Sequence, residues 1–195
     1  MEEDYNFMDS TKELHVFDNH EGMIPREVCR LFGPDTLRLN LSSCHLRFSK
    51  GLAMFPNVEE IIMDNNELTS LEMCRLPRLH TLSLNNNKVE GLETLLVMLQ
   101  RCAGRLRYLS ILGNPCSPDQ LTCDRYTPAD YARHRLYVLY MLPQLLFLDS
   151  TRVTAPERVE AKRRGAYCRT VKLVKWDAPA SPARVEWGED VLDTA

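Results

Sequence analysis

Apolar residues along this chain recur in blocks rather than in one continuous stripe. One block runs Val58, Ile61, Met63 and Leu68 with Asn66 set among them, and the next runs Leu79, Leu82, Leu84 and Val89 around Asn87. A third runs Leu106, Leu109, Ile111 and Cys116 around Asn114. An earlier block lacks its first apolar member but keeps Leu39, Leu41 and Leu46, with Cys44 in the place of the asparagine. Inside each block the alternation of apolar and polar residues has period two, which predicts a short strand with one buried face. The fixed polar position falls at 44, 66, 87 and 114, so the blocks repeat every 22, 21 and 27 residues. That is the period of a stacked array in which each unit covers its neighbour.

The blocks follow the leucine-rich template L-x-x-L-x-L-x-x-N/C-x-L. A fainter copy lies upstream, where Leu14, Val16 and Asn19 hold the phase but glutamate replaces the next leucine; it predicts an atypical N-terminal edge repeat. The fold class that follows is an α/β solenoid, a horseshoe of about four to five repeats. Short parallel strands line its concave face, and mixed turns, 3₁₀ pieces and helix lie on its convex face. In such an array the Asn side chain bonds backbone groups that the turn leaves unpaired, so Asn66, Asn87 and Asn114 form a buried structural ladder, with Cys44 as a small buried substitute. Gly91 to Gly104 carries Leu92, Leu95, Leu96 and Leu99 at helical spacing and absorbs the extra length of the long repeat. The other crossings contain Pro56 and Pro77 and predict turns or 3₁₀ pieces.

A solenoid must cover its last repeat. From Pro128, the residues Tyr131, Leu136, Val138, Leu139 and Leu142 predict a helix that stops before Pro143. Leu145 and Leu148 then resume the strand phase, Asp149 to Val153 turns, and Thr154 caps another helix with Pro156 in its first turn. The chain accordingly divides into an N-terminal segment with the edge repeat (1–35), the repeats (36–127), a C-terminal cap with a basic extension (128–175) and an acidic tail (176–195).

Composition adds little to this but excludes much. The 195 residues are 44% hydrophobic and 26% charged with net charge −3, the profile of an ordinary globular protein. Seven scattered cysteines without a C-x-x-C pair suggest neither a disulfide framework nor a zinc site, and most are expected as reduced core thiols. No apolar run approaches the length of a membrane span, and the first residues are acidic where a leader would be basic, so a cytosolic or nuclear location is expected. The chain has no phosphate-binding loop, no zinc-protease helix and no nucleophile elbow, and its five histidines lie far apart. The reading is therefore not an enzyme, with no cofactor, no metal and no small-molecule substrate.

The run YARHRLYVLYMLPQLLFLDSTRVTAPERVEA resembles the C-terminal cap of the short SDS22-like leucine-rich repeat proteins. Tyr137, Leu142, Pro143, Leu145, Leu148, Asp149, Val153, Thr154, Glu157 and Arg158 carry that likeness. LPRLHTLSLNNNKV, RLRYLSILGNPCSPDQL and EAKRRGAYCRTVK, in that order and spacing, resemble a branch of the family tied to melanocyte differentiation. The resemblance covers roughly residues 10 to 175 and fails over the tail. It implies a protein-interaction adaptor in pigmentation, at the surface of melanosome-related organelles or endosomes, with a Rab-type small GTPase and the endosomal recycling machinery as partners. A related spliceosomal protein shares repeat and cap, which keeps a nuclear ribonucleoprotein role as the alternative. An axonemal or phosphatase-regulating scaffold is a third.

Counting from each ladder position places Arg38, Asn40 and Ser42; Glu60, Ile62 and Asp64; Thr81, Ser83 and Asn85; and Tyr108, Ser110 and Leu112 on the concave face. Extending the phase into the cap adds Phe147, Asp149 and Thr151. Tyr108, Leu112 and Phe147 are apolar where solvent is expected, either the core of a protein interface or residues covered by the cap or tail. Glu60 and Asp64 make the N-terminal half mildly acidic, which disfavours nucleic acid. Residues 156–175 hold seven basic side chains against Glu157 and Glu160, while 176–195 hold five acidic ones against Arg184. The basic stretch reads as a solvated helix face, a phosphate or acidic-membrane contact, or a nuclear signal at Lys162, Arg163 and Arg164. In the tail, Val185, Trp187, Val191 and Leu192 among carboxylates form a candidate linear motif.

Overall fold

The computed structural model describes residues 5–17, 22–72, 74–118 and 127–169. Asn19, Cys123 and the tail motif of Val185, Trp187, Val191 and Leu192 lie outside the described residues.

One eight-stranded sheet runs through them in chain order. Strand β2 (Glu13–Val16) pairs parallel with β3 (Arg38–Asn40), followed by β4 (Glu60–Ile62), β5 (Thr81–Ser83), β6 (Tyr108–Ser110) and β7 (Phe147–Leu148), all parallel. The register aligns Leu14, Leu39, Ile61, Leu82, Leu109 and Leu148 in one row, and each is 1% exposed or less. This is the leucine-rich solenoid that the repeat pattern predicts. A three-residue strand cannot stand alone, so the sheet exists because every row of apolar side chains stacks on the next.

The asparagine ladder explains why the spacing is strict. Asn66 Nδ2 donates to the carbonyls of Leu41 (2.8 Å), Met63 and Asp64, while its Oδ1 accepts the N–H groups of Cys44 (3.0 Å) and Leu46 (2.9 Å). Asn87 and Asn114 repeat the pattern one and two repeats on, through Met63, Leu84 and Asn85 and through Leu84, Ile111 and Leu112. One amide thus serves groups in two repeats that would otherwise be buried unpaired. Cys44 takes the role in reduced form, its thiol donating to the Val16 carbonyl at 3.0 Å. The residue before each ladder position has positive φ (Ser43, Asn65, Asn86 and Gly113). At Gly113 a side chain is excluded as well, since a Cβ there would sit 2.2 Å from Asn86 Oδ1.

On the convex side, α2 (Leu92–Cys102) buries Leu95, Leu96 and Leu99, and a 3₁₀ turn covers Leu52–Met54. Helix α1 (Arg26–Phe32) was not predicted. Neither was β1 (Tyr5–Met8), which pairs antiparallel with β2 and packs Tyr5 and Phe7 on the Phe32 ring, with centroids at 5.3 and 4.9 Å. The N-terminal end is therefore a hairpin sealed by aromatic contacts, of which the upstream leucine-rich copy is one strand.

At the other end, α3 (Pro128–Met141) and α4 (Ala155–Arg164) cover the last repeat. Both open with capping boxes, Thr127 with Asp130 and Thr154 with Glu157, in which the carboxylate also accepts the N-cap N–H. Three donors from Thr127 and Arg133 hold the Asp130 carboxyl down at about 2. Arg135 is 6% exposed and fastens the cap: Nε donates to Glu157 at 2.9 Å and Nη1 to the Leu148 carbonyl at 3.0 Å, joining α3, α4 and β7. Burial alone would raise the Glu157 pKa, but Arg135 and the Thr154 donors bring it below the usual carboxylate range.

Two expectations are corrected here. Residues after Leu148 form not one long turn but a two-residue hairpin, with β8 (Thr151–Arg152) antiparallel to β7. Of the thiols, Cys29 and Cys44 are buried, while Cys74, Cys102, Cys116 and Cys168 are only half-buried. Cys116 ends its repeat at a template position, but the chain leaves the stack there for the 115–118 turn.

Candidate partner-binding surface

Side chains that leave the sheet opposite the leucine rows form three columns. The first holds Glu13, Arg38, Glu60, Thr81, Tyr108 and Phe147, and the second holds His15, Asn40, Ile62, Ser83 and Ser110. The third, one step beyond the strands, holds Phe17, Ser42, Asp64, Asn85 and Leu112.

The middle of this surface is occupied by its own hydrogen bonds. Asp64 accepts from the Ser83 hydroxyl at 2.7 Å, from the Asn85 N–H at 2.8 Å and from the Asn85 amide at 3.3 Å. Asn85 in turn donates to Ser83 Oγ and accepts from the Ser110 hydroxyl at 2.7 Å and from the Leu112 N–H at 3.0 Å. Strands about 4.8 Å apart put such short side chains within reach of the next repeat. A second polar ladder results, shallower than that of Asn66, Asn87 and Asn114. Ser83 and Ser110 are buried in it at 7% and 2% exposure, which corrects their reading as contact residues. Asp64 and Asn85 stay half-buried, with their polar atoms largely committed.

Asp149 is corrected too. It is 1% exposed, its backbone has φ +56, and the side chain ends the sheet by accepting the Ile111 N–H at 3.1 Å and the Tyr131 hydroxyl at 2.9 Å. Burial, and then the Asp149 charge, raise the Tyr131 pKa above its ordinary value. Thr151 belongs to β8 and does not continue the parallel register.

The edges of the surface remain available. Arg38 is exposed and faces Glu60 at 3.7 Å, a solvent-screened pair of small energetic weight. Asn40, Ser42, Ile62 and Thr81 are half-buried, and Asn40 Oδ1 accepts the Ser42 N–H at 3.0 Å. At the C-terminal end Phe147 is 41% exposed, and its ring lies 6.5 Å from that of half-buried Tyr108, tilted by 36°. Leu112 is half-buried in the third column, and Leu146, just before Phe147, is exposed. The periodicity missed Phe17, exposed at the opposite end of the Leu112 column, and Arg152, which stands directly across from Phe147. Counting the phase back from Leu14 and Val16 finds Phe17; nothing in the sequence marks the β7–β8 reversal that places Arg152.

Of the basic stretch, Lys172 and Lys175 lie outside the described residues, and four of the five described cations have partners. Arg158 donates to the Pro143 and Leu145 carbonyls, Arg163 and Arg164 both pair with Glu160, and Arg169 pairs with Glu93. Elsewhere, a groove of about 610 Å³ lies between Gly91–Thr94, the 115–118 turn, α3 and the Gly165–Cys168 3₁₀ segment. Beside it His134 is buried, its Nε2 without a partner among the described residues; burial, and then the nearby Arg135 charge, lower its pKa to about 4. No group of three or more metal-ligating side chains occurs among the described residues, and no described helix is long and apolar enough to cross a membrane.

Known proteins share this arrangement. A family model of leucine-rich repeats in two copies matches residues 56–97. Human U2 small nuclear ribonucleoprotein A' is 31% identical over 134 residues, 63% of this chain and 52% of that protein; its Mycosarcoma maydis counterpart is 29% identical, over 64% of this chain and 46% of its own length. The chain thus spans about half the length of these two relatives. A chain of the Drosophila melanogaster SNF/U2A' complex superposes with a TM-score of 0.58 at 22% identity, over 80% of this chain and 84% of that one, and so shares the fold. The human leucine-rich melanocyte differentiation-associated protein is 44% identical over 152 residues, 75% of this chain and 77% of that protein. On that likeness, the chain belongs to the leucine-rich melanocyte differentiation-associated family of leucine-rich repeat proteins.

Proposed function

We propose that this protein is a non-enzymatic adaptor that holds a protein partner on the C-terminal part of its concave face and offers its tail to a second. The observation that carries the reading is the aromatic pair of exposed Phe147 and half-buried Tyr108, on a sheet whose central polar side chains Asp64, Ser83, Asn85 and Ser110 bond one another. A preformed, apolar, amphipathic surface of this kind binds with little loss of side-chain freedom. The family membership supports a role in melanocyte differentiation and pigmentation. We propose further, from the resemblance carried by the repeat and cap motifs, that the first partner is a Rab-type small GTPase and the second the endosomal recycling machinery, at the cytoplasmic surface of melanosomes or endosomes. The test is capture of a purified, GTP-loaded Rab-type GTPase by the full chain and by Tyr108→Ala and Leu112→Asp variants. Binding should drop at least tenfold, about 1.4 kcal/mol, while far-UV circular dichroism stays unchanged. Unaltered capture by correctly folded variants removes the concave-face assignment.

A second reading, a component of a nuclear ribonucleoprotein, is supported by the U2 small nuclear ribonucleoprotein A' relatives. The pairing of Arg163 and Arg164 with Glu160 and of Arg169 with Glu93 weakens it. Binding of a structured RNA with a steep dependence on salt would favour it, and no binding at physiological salt would remove it.

A further inference from the structure

The aromatic end of the concave face differs in charge from the rest. Toward the N-terminus three carboxylates have a local counter-group: His15 beside Glu13 at 2.7 Å, Arg38 beside Glu60, and Arg78 and His80 beside Glu59 at 4.0 and 3.9 Å. Around Tyr108 and Phe147 the imbalance is cationic. Arg152 is paired directly opposite Phe147 in the β7–β8 hairpin, so its side chain leaves the sheet on the same face. It is exposed and forms no ion pair among the described residues. The Asp149 carboxylate is no counter-charge at the surface, being buried under Tyr131. Two aromatic rings with the uncompensated Arg152 guanidinium on the same face fit a segment with an aromatic anchor and several carboxylates.

The chain carries one such segment. Val185, Trp187, Val191 and Leu192 are interleaved with Glu186, Glu189, Asp190 and Asp193. The 18 residues from Arg169 to Trp187 can span up to about 60 Å, several times the radius of gyration of about 16 Å expected of a domain of this size. We infer that residues 185–192 of the chain's own tail occupy the Tyr108–Phe147 end of the concave face when no partner is bound, Trp187 against the rings and the carboxylates toward Arg152. The inference rests on the reading of that face as the partner surface and adds its regulation. Tail and partner compete for one site, so the partner's arrival releases the tail, and a ligand that takes the tail opens the face by the same factor.

Both tryptophans of the chain, Trp176 and Trp187, lie in the tail, so tryptophan emission of the intact protein reports on the tail alone. In full-length protein carrying Trp176→Phe, Trp187 should emit at shorter wavelength and be less accessible to acrylamide than in a synthetic 176–195 peptide with the same substitution, independently of protein concentration. Phe147→Ser and Arg152→Glu, each made in that protein, should return both readings to those of the peptide with Tm unchanged. Emission equal to the peptide's, or a shifted emission that neither substitution alters in folded protein, overturns the inference. So does a shift that grows with protein concentration, which would place the tail on a second copy. The partner capture assay is read separately: solvent-like Trp187 with Phe147-dependent capture leaves the adaptor reading standing and removes only tail docking.

Discussion

The concave face carries two chemistries on one sheet. Between β4 and β6, Asp64, Ser83, Asn85 and Ser110 spend their polar atoms on one another and on the backbone. Between β6 and β8, Tyr108, Phe147 and Arg152 have no such neighbours to satisfy them. The difference is one of reach. Asp, Asn and Ser are short enough to close a hydrogen bond across one strand spacing, whereas an aromatic ring can only stack and leaves a face to solvent. Position in a column therefore does not make a side chain available; what it meets in the next column does.

Substitutions along this contrast should have effects that fall from large to small. Asn87→Ala removes the partner of buried groups in two repeats and should cost about 3 to 5 kcal/mol in urea unfolding, since each buried polar group left unpaired costs about 1 to 3 kcal/mol. At the cap, Glu157→Ala strands the buried Arg135 charge and breaks the capping box. A loss of about 3 kcal/mol is expected, the Glu157 side chain being only 29% exposed.

Acid should probe the cap by a separate route. Because the folded pKa of His134 lies near 4, the unfolded chain takes up its proton from about pH 6.5 downward while the folded chain does not. Stability is then full above pH 6.5 and falls as pH drops toward 4, by up to about 3 kcal/mol. The depressed carboxylates Asp130, Glu157 and Glu160 add their losses only below about pH 4.5, so the interval between isolates the imidazole. Urea titrations at pH 7 and pH 5 should show this slope, and His134→Leu should flatten it.

Gly113→Ala puts a side chain at φ +68 against Asn86 Oδ1 and should cost about 2 kcal/mol. Phe147→Ser, at the open end, should change stability by less than about 0.5 kcal/mol while abolishing partner capture. A stability loss as large as that of Asn87→Ala would erase the distinction between the two halves of the face.

Much of this was legible in the chain, for a physical reason. Asn66, Asn87 and Asn114 must stand where the strand turns, so their spacing writes the repeat into the sequence, and Thr154 with Glu157 marks a helix start by local chemistry. What was not legible depends on partners distant in sequence. Tyr5–Met8 is four residues long, and its strand is justified by its pairing with Glu13–Val16 and by Phe32. Asp149 keeps the phase of Ser110, yet the strand ends beneath it and Tyr131 buries it. Ser83 and Ser110 were misjudged because alternation predicts the direction of a side chain and not the neighbour that covers it.

The two reversed strands at the sheet's ends have one more consequence. A parallel array of identical rungs is by nature open at both edges, and any further rung of the same phase, including one from another molecule, could in principle join it. Here β1 and β8 run against the grain, so at either end a newcomer meets a reversed strand in place of a rung in the repeat's own direction. The stack is bounded at both ends by strands that do not carry its repeat forward.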